Sequence, residues 1–112
     1  MSREIRKNLR FSCSIPALLR FLSGDPIDGW GVIYDMGLGG VKLESRRPLA
    51  MGDVIYLSFS LMPRFSYENV RGRVVRVFKR GYYNMAGLEF DSEMDKENLR
   101  EGIRALIDEE GK

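Results

Sequence analysis

The sequence predicts an all-β fold, a small barrel or sandwich of about six strands that is followed by a C-terminal helix. Segments in which apolar and polar residues alternate recur about every 8 to 12 residues, with glycine- or proline-containing turns between them. After Asp91 the spacing of the apolar residues changes to the period of a helix. The chain has 112 residues, the usual length of one domain, so residues 1–112 are interpreted as a single domain.

Each predicted strand is a run of β-branched, aromatic or other apolar residues that ends at a turn signal. The clearest turn signals are Gly24-Asp25-Pro26, the glycine-rich stretch 35–40 and Gly52-Asp53, and residues 62–68 are expected to form a longer loop. Trp30, Phe59 and Phe90 are expected to pack in the core or at its rim. The six strands, which lie within residues 13–90, are expected at 14–22, 27–34, 41–45, 54–61, 69–78 and 82–90.

Residues 92–108 are predicted to form the helix. Asp91 or Ser92 can cap its first turn with a side-chain oxygen. The apolar residues that follow lie at positions i, i+4, i+7 and i+8 and share one helical face: Leu99, Ile103, Leu106 and Ile107. The charged residues between them are expected to face solvent.

The composition argues against catalysis. Histidine is absent and Cys13 is the only cysteine, so a Ser-His-Asp or Cys-His arrangement is impossible and a zinc site within one chain is nearly excluded. We therefore expect a binding protein, without cofactor or metal, rather than an enzyme. A lone cysteine also fits a reducing compartment, so a cytoplasmic location is expected. No apolar run approaches the ~18 residues of a membrane-spanning helix, so no membrane span is expected.

Positive charge is concentrated at the N-terminus. Residues 1–12 are predicted to be a flexible basic segment, whose positive charges are Arg3, Arg6, Lys7 and Arg10. The net charge of the chain is only +2 and its C-terminal region is acidic, which argues against a nucleic acid polymer as the partner. A small barrel that binds single-stranded nucleic acid stays open as an alternative, because the basic segment and the aromatic residues would suit it.

Two short motifs could carry a binding function. Arg6 and Arg10 form an R-x-x-x-R pattern, and Asp35 begins a D-x-G-x-x-G pattern that ends at Gly40. Taken singly, the first is common in solvated basic tails and the second in plain hairpin turns. The three glycines of residues 35–40 indicate a turn that needs either a positive φ or a close approach of the backbone.

The order of these motifs along the chain resembles the PilZ domain, a family of bacterial receptors for cyclic di-GMP. After R-x-x-x-R come YDMGLGGVKLES, then Leu49 with Gly52-Asp53, then V-R-G-R-V-V-R-V and the final G-L-E-F of residues 87–90. The resemblance spans nearly the whole chain. It implies a six-stranded antiparallel β-barrel with a C-terminal α-helix, and it implies that residues 1–12 wrap the ligand.

The resemblance also implies roles for the charged motif residues. Arg6 and Arg10 would bind cyclic di-GMP, since a guanidinium can fork onto guanine O6 and N7, pair with phosphate, or stack on a purine. Asp35 would accept hydrogen bonds from the N1 and N2 donors of guanine.

The glycines of the second motif would lie close to the ligand. Gly39 and Gly40 would let ligand and backbone approach, and Gly37 stands where the family has a serine. Loss of one neutral hydrogen bond costs about 0.5–1.5 kcal/mol, or roughly threefold to tenfold in affinity, so weaker binding is expected at this position.

The leading hypothesis is therefore a cyclic di-GMP receptor that signals to an unidentified protein partner when the ligand orders its N-terminal arginine segment. The substitution at Gly37 supports an alternative, in which the domain is a protein-interaction adaptor that needs no ligand. A homodimer is possible, with the C-terminal helix as the obvious surface for it.

Overall fold

The computed structural model describes residues 10–21 and 28–110, and it contains six strands and one helix. The elements are β1 (Arg10–Phe21), β2 (Asp28–Gly37), β3 (Gly40–Ser45), β4 (Val54–Met62), β5 (Phe65–Arg80), β6 (Tyr83–Phe90) and α1 (Glu93–Glu110). The predicted all-β fold with a C-terminal helix is confirmed.

The strands form one closed antiparallel barrel in the order β1-β2-β3-β6-β5-β4. β1 pairs with β2 along most of its length, and its second half also pairs with β4, where Leu18 lies opposite Ser58. This second pairing closes the sheet. Closure gives each of the six strands a hydrogen-bonded neighbour on both sides over at least part of its length.

The interior of the barrel is filled by the apolar side chains that strand alternation directs inward. The buried core residues come from all six strands and from α1: Ala17, Leu19, Phe21, Ile33, Met36, Val41, Leu43, Ile55, Leu57, Phe59, Val70, Val74, Ala86, Leu88, Phe90, Leu99 and Ile103. Complete burial of one such large side chain stabilises the fold by about 1.5–3 kcal/mol. In the part of the chain described here, no helix combines the length and the apolar character needed to cross a membrane.

The helix is attached to β5 by polar contacts as well as by its apolar face. Leu99 and Ile103 are fully buried, as their spacing predicts. The hydroxyl of Tyr67 donates to the carbonyl oxygen of Asn98 at 3.0 Å. Burial raises the pKa of Tyr67 above its usual value of 10, so this hydroxyl keeps its proton and remains a donor at neutral pH.

The capping of α1 agrees with the prediction. The backbone N–H of Asp95 donates to the hydroxyl of Ser92 at 3.3 Å, so Ser92 is the capping residue. The carboxylate of Asp95 accepts a hydrogen bond of 3.3 Å from the backbone N–H of Arg71. The first turn of the helix is thereby joined to β5.

Three predicted features differ from the structure. β1 begins at Arg10, so residues 10–12 belong to the barrel and not to the basic segment predicted at 1–12. The loop predicted at 62–68 is a turn of two residues, because Pro63 and Arg64 alone separate the paired Met62 and Phe65. Trp30 is 70% exposed, because it lies between two inward positions of β2 and points outward; its expected core packing is wrong.

The turn between β2 and β3 is very tight. Leu38 and Gly39 alone connect the two strands, and the carbonyl oxygen of Gly39 accepts a hydrogen bond of 2.9 Å from the N–H of Phe90. A Cβ atom on Gly40 would collide with the carbonyl oxygen of Leu88. Neither Gly39 nor Gly40 has a positive φ. The glycine at position 40 is therefore required by close packing of β3 on β6 and not by a left-handed backbone.

Substitution of the two turn glycines should have opposite outcomes. Gly40→Ala should lower the free energy of unfolding by about 1–3 kcal/mol, because β3 and β6 must separate to admit the methyl group. The melting temperature should fall by roughly 5–15 °C. Gly39→Ala is the matched control, since a Cβ there meets no atom within 4 Å. Thermal unfolding followed by circular dichroism measures both, and equal melting temperatures would contradict the packing argument.

Candidate functional site

A β-bulge in β2 places Asp35 on the outside of the barrel. The register between β2 and β3 shifts between Ile33 and Asp35, so Tyr34 is an extra residue without a partner on β3. Ile33 and Met36 are both fully buried, whereas Tyr34 is exposed and Asp35 is partly exposed. Strict alternation would have directed Asp35 inward along with Ile33. The bulge instead turns this carboxylate toward the outer surface.

Arg10 is brought to this carboxylate by the pairing of β1 with β2. Arg10 lies opposite Gly37, and Ser12 lies opposite Asp35. The Nε of Arg10 donates to Oδ1 of Asp35 at 3.1 Å. The two side chains are 53% and 29% exposed, so this is a surface ion pair. It uses one of the five N–H donors of the guanidinium.

Tyr34, the extra residue of the bulge, is itself held in place. Its hydroxyl donates to Oε2 of Glu44 on β3 at 2.6 Å. This hydrogen bond raises the pKa of Tyr34 above its usual value of 10, so the hydroxyl remains a donor at neutral pH. This hydrogen bond therefore links the bulge in β2 to β3 on the outer face of the barrel.

An open depression of about 440 Å³ extends from Arg10 across the outer face of β3, β6 and β5. Its lining consists of Arg10, Gly39, Gly40, Val41, Lys42, Val75, Arg76, Gly87, Leu88 and Glu89. Three of the residues predicted from the sequence, Arg10, Gly39 and Gly40, thus line one surface. Asp35 joins them through its contact with Arg10.

The remaining two predicted residues are placed differently. Gly37 is buried at the end of β2, directly opposite Arg10. Arg6 lies outside the described residues.

Lys42, Gly87 and Arg76 were not singled out from the sequence as site residues. A second β-bulge determines the position of Arg76. The register between β5 and β6 shifts between Val74 and Arg76, so Val75 and Arg76 both lie on the outer face. The adjacent apolar pair Val74-Val75 interrupts the alternation of β5, and this interruption is the signal in the sequence that could have revealed the bulge.

The charges of the depression favour an anion. Arg10, Lys42 and Arg76 line it, and Glu89 is the one carboxylate in its lining. Glu89 is engaged by Arg73, whose Nη2 lies 3.7 Å from its Oε2. Within the ranges 10–21 and 28–110, no group of side chains is arranged to hold a metal ion. The site therefore offers several cationic donors and, at Asp35, one carboxylate acceptor.

A second depression, of about 450 Å³, lies at the opposite end of β2. Trp30 and Tyr83 line it together with Pro16, Glu44 and Arg46. It includes neither Arg10 nor Asp35, and its charges include one acid and one base. The motif residues therefore point to the first depression as the candidate ligand site.

Comparison with known proteins identifies a family and a fold. Residues 4–109 match the PilZ domain. The structure resembles YcgR from Escherichia coli in complex with c-di-GMP, with a TM-score of 0.71, 19% sequence identity and coverage of 93% of this chain. It also resembles the MrkH–c-di-GMP complex of K. pneumonia, with a TM-score of 0.72, 16% identity and coverage of 100%. No curated protein matches the sequence.

The chain spans about half the length of these two proteins, 46% of YcgR and 55% of MrkH. It corresponds more closely in length to the PilZ domain of CeSA from a cellulose-synthesising bacterium. It covers 97% of that chain, with a TM-score of 0.58 and 18% identity. At these levels of identity the likeness concerns the fold.

The ion pair between Arg10 and Asp35 should contribute little to stability. Exposed pairs of this kind contribute about 0.2–1 kcal/mol, because solvent screens the charges. Arg10→Ala should therefore lower the melting temperature by less than about 5 °C. Differential scanning calorimetry measures this shift. A larger loss would mean that Arg10 holds β1 in the barrel, and a binding defect of the variant would then not report on ligand contacts.

Proposed function

We propose, on the premise that this chain belongs to the PilZ domain family, that it is a receptor for cyclic di-GMP. The observation that carries the proposal is the contact between Arg10 and Asp35 at the edge of an open, basic depression. Each of the two residues comes from one of the two motifs, and 25 residues of sequence separate them. Their proximity on one outer surface supports a shared ligand.

The chemistry of the site suits a guanine base that carries phosphate. A carboxylate at Asp35 can accept hydrogen bonds from N1–H and from the N2 amino group of guanine. The guanidinium of Arg10 can fork onto O6 and N7 of the base, or pair with a phosphate oxygen. The tight turn at Gly39 and Gly40 carries no side chains that would keep the ligand from the backbone.

The ligand must displace part of the existing ion pair. Oδ1 of Asp35 accepts a hydrogen bond from Nε of Arg10. Guanine would take over the carboxylate, and Arg10 would turn its donors to the acceptors of the ligand. The exchange would replace one charge-assisted hydrogen bond within the protein with several between protein and ligand.

Arg6 supplies the signalling step of the proposal. It lies four residues before Arg10, and the motif assigns it to the same ligand. Contact with the ligand would hold residues 1–9 against the barrel. The surface that a protein partner meets would then depend on whether cyclic di-GMP is bound.

Calorimetric titration with cyclic di-GMP tests the receptor function. The native protein should bind, and Arg10→Ala should weaken binding about tenfold to hundredfold, because a charge-assisted hydrogen bond contributes about 1.5–3 kcal/mol. Arg10→Lys should restore little of the lost affinity, since an ammonium is a point charge that cannot form a bidentate contact with two acceptors. Asp35→Asn tests the acceptor in the same way.

GTP and cyclic GMP are the matched ligand controls, because each carries guanine without the second nucleotide. Absence of heat with cyclic di-GMP at high micromolar concentration would reject the receptor function. The alternative that the sequence suggests, an adaptor whose barrel docks on a protein without ligand, would then be favoured.

The glycine in place of the motif serine makes a separate prediction. Gly37→Ser should raise the affinity for cyclic di-GMP about threefold to tenfold, because it returns a hydroxyl that can donate to phosphate or to a base edge. Titration of the variant beside the native protein measures the gain. Gly37→Ala is the control, since it adds a side-chain carbon at the same position without the hydroxyl. An equal gain in both variants would mean that the hydroxyl is not responsible.

A further inference from the structure

We propose that Lys42 and Arg76, on either side of Gly87, form a second contact region for the cyclic dinucleotide, which binds the half of the ligand farther from Asp35. This inference rests on the proposed function. In this arrangement the three residues contact either the anionic phosphate or the acceptor edge of the second guanine. Lys42 and Arg76 are donors without acceptor atoms, so they suit those two groups.

The four residues concerned form a single row across the outer face of the barrel. Asp35 pairs with Lys42, Lys42 with Gly87, and Gly87 with Arg76. Adjacent strands lie roughly 4.8 Å apart, so the row is about 14 Å long when measured along the sheet. A row of this length is longer than one purine, and it suits a ligand that has two bases and two phosphates.

Gly87 lies inside this row, between Lys42 and Arg76, and contributes no side chain to the outer surface. We call the exposed backbone at this position the floor of the row. A Cβ atom built on Gly87 would meet only Arg76, at 3.7 Å from its Cβ and 3.9 Å from its Nε. These are ordinary van der Waals distances. The space above Gly87 is therefore bordered only by the Arg76 side chain, and the barrel itself does not need a glycine there, in contrast to position 40.

Phe78 holds the two cations over this floor. Its ring centroid lies 5.9 Å from Nζ of Lys42 and 5.5 Å from Cζ of Arg76. Such cation–π contacts are attractive and leave the hydrogen-bond donors of the cations available. One aromatic ring thus positions a cation from β3 and another from β5 before any ligand arrives.

The pairing of the other β5 arginines shows what is unusual about Arg76. The Nε of Arg71 lies 3.3 Å from Oδ2 of Asp91, and Arg73 pairs with Glu89. In the described ranges, no carboxylate lies within ion-pair distance of Arg76 or of Lys42. Their charges are uncompensated, and an anionic ligand would supply the missing partner.

Calorimetric titration with cyclic di-GMP, combined with melting temperatures, tests the inference in four variants. Arg76→Ala and Lys42→Ala should each weaken binding about tenfold. Gly87→Val should abolish detectable binding because its side chain fills the floor. Its melting temperature should be equal to or higher than that of the native protein, since valine is a better strand residue than glycine. Arg71→Ala, which removes an ion-paired charge from the same strand, should bind normally.

The outcomes separate this inference from the proposed function. If the native protein binds and Arg10→Ala does not, affinities of Arg76→Ala and Gly87→Val within twofold of the native value would overturn the second contact region alone. If the native protein itself gives no heat, the receptor function fails and this inference fails with it. Should Gly87→Val not fold, Arg76→Ala and Lys42→Ala still decide the question.

Discussion

Closure of the sheet is the constraint on which the rest of this molecule depends. β1 pairs with β2 on one side and with β4 on the other, and this double pairing converts a row of antiparallel strands into a barrel. A barrel of this size has room inside only for its own apolar side chains. Any polar function must therefore lie on the outer surface, and the alternation of each strand decides which residues reach it.

Two departures from that alternation create the candidate site. The bulge at Tyr34 turns Asp35 outward on β2, and the bulge at Val75 turns Arg76 outward on β5. β3 and β6 lie between them and contribute a lysine and a glycine to the same row. Two single-residue bulges therefore produce the arrangement of the site. It has a carboxylate acceptor at one end, cations toward the other end and exposed backbone at Gly87.

The sequence allowed the regular part of this structure to be predicted, and the irregular part only in outline. The alternation of residues 54–61 and the helical spacing of Leu99 and Ile103 depend on periods that any chain must obey, so those elements were expected where they occur. Arg10 and Asp35 were identified because they belong to motifs of fixed spacing. Their contact required the register of β1 on β2, which no local pattern contains.

The features that the sequence analysis did not predict have separate physical causes. A bulge changes the face of every residue beyond it, and a single extra residue leaves almost no trace in a sequence. The row that Asp35 and Arg76 share was for that reason not predicted. The length of β5 was underestimated at its N-terminal end because Pro63 and Arg64 complete a turn that composition alone suggested to be a loop.

The ion pair between Arg10 and Asp35 has a consequence for how a receptor of this design would respond to dose. In such a receptor the guanidinium of Arg10 would compete with a guanine base for Oδ1 of Asp35. Binding would have to open this contact, which would lower the observed affinity. Little free energy is needed to open an ion pair on the surface. The concentration of cyclic di-GMP that binding requires would therefore rise only slightly. Burial of the same pair would raise the concentration of messenger at which the domain switches, without alteration of a single ligand contact.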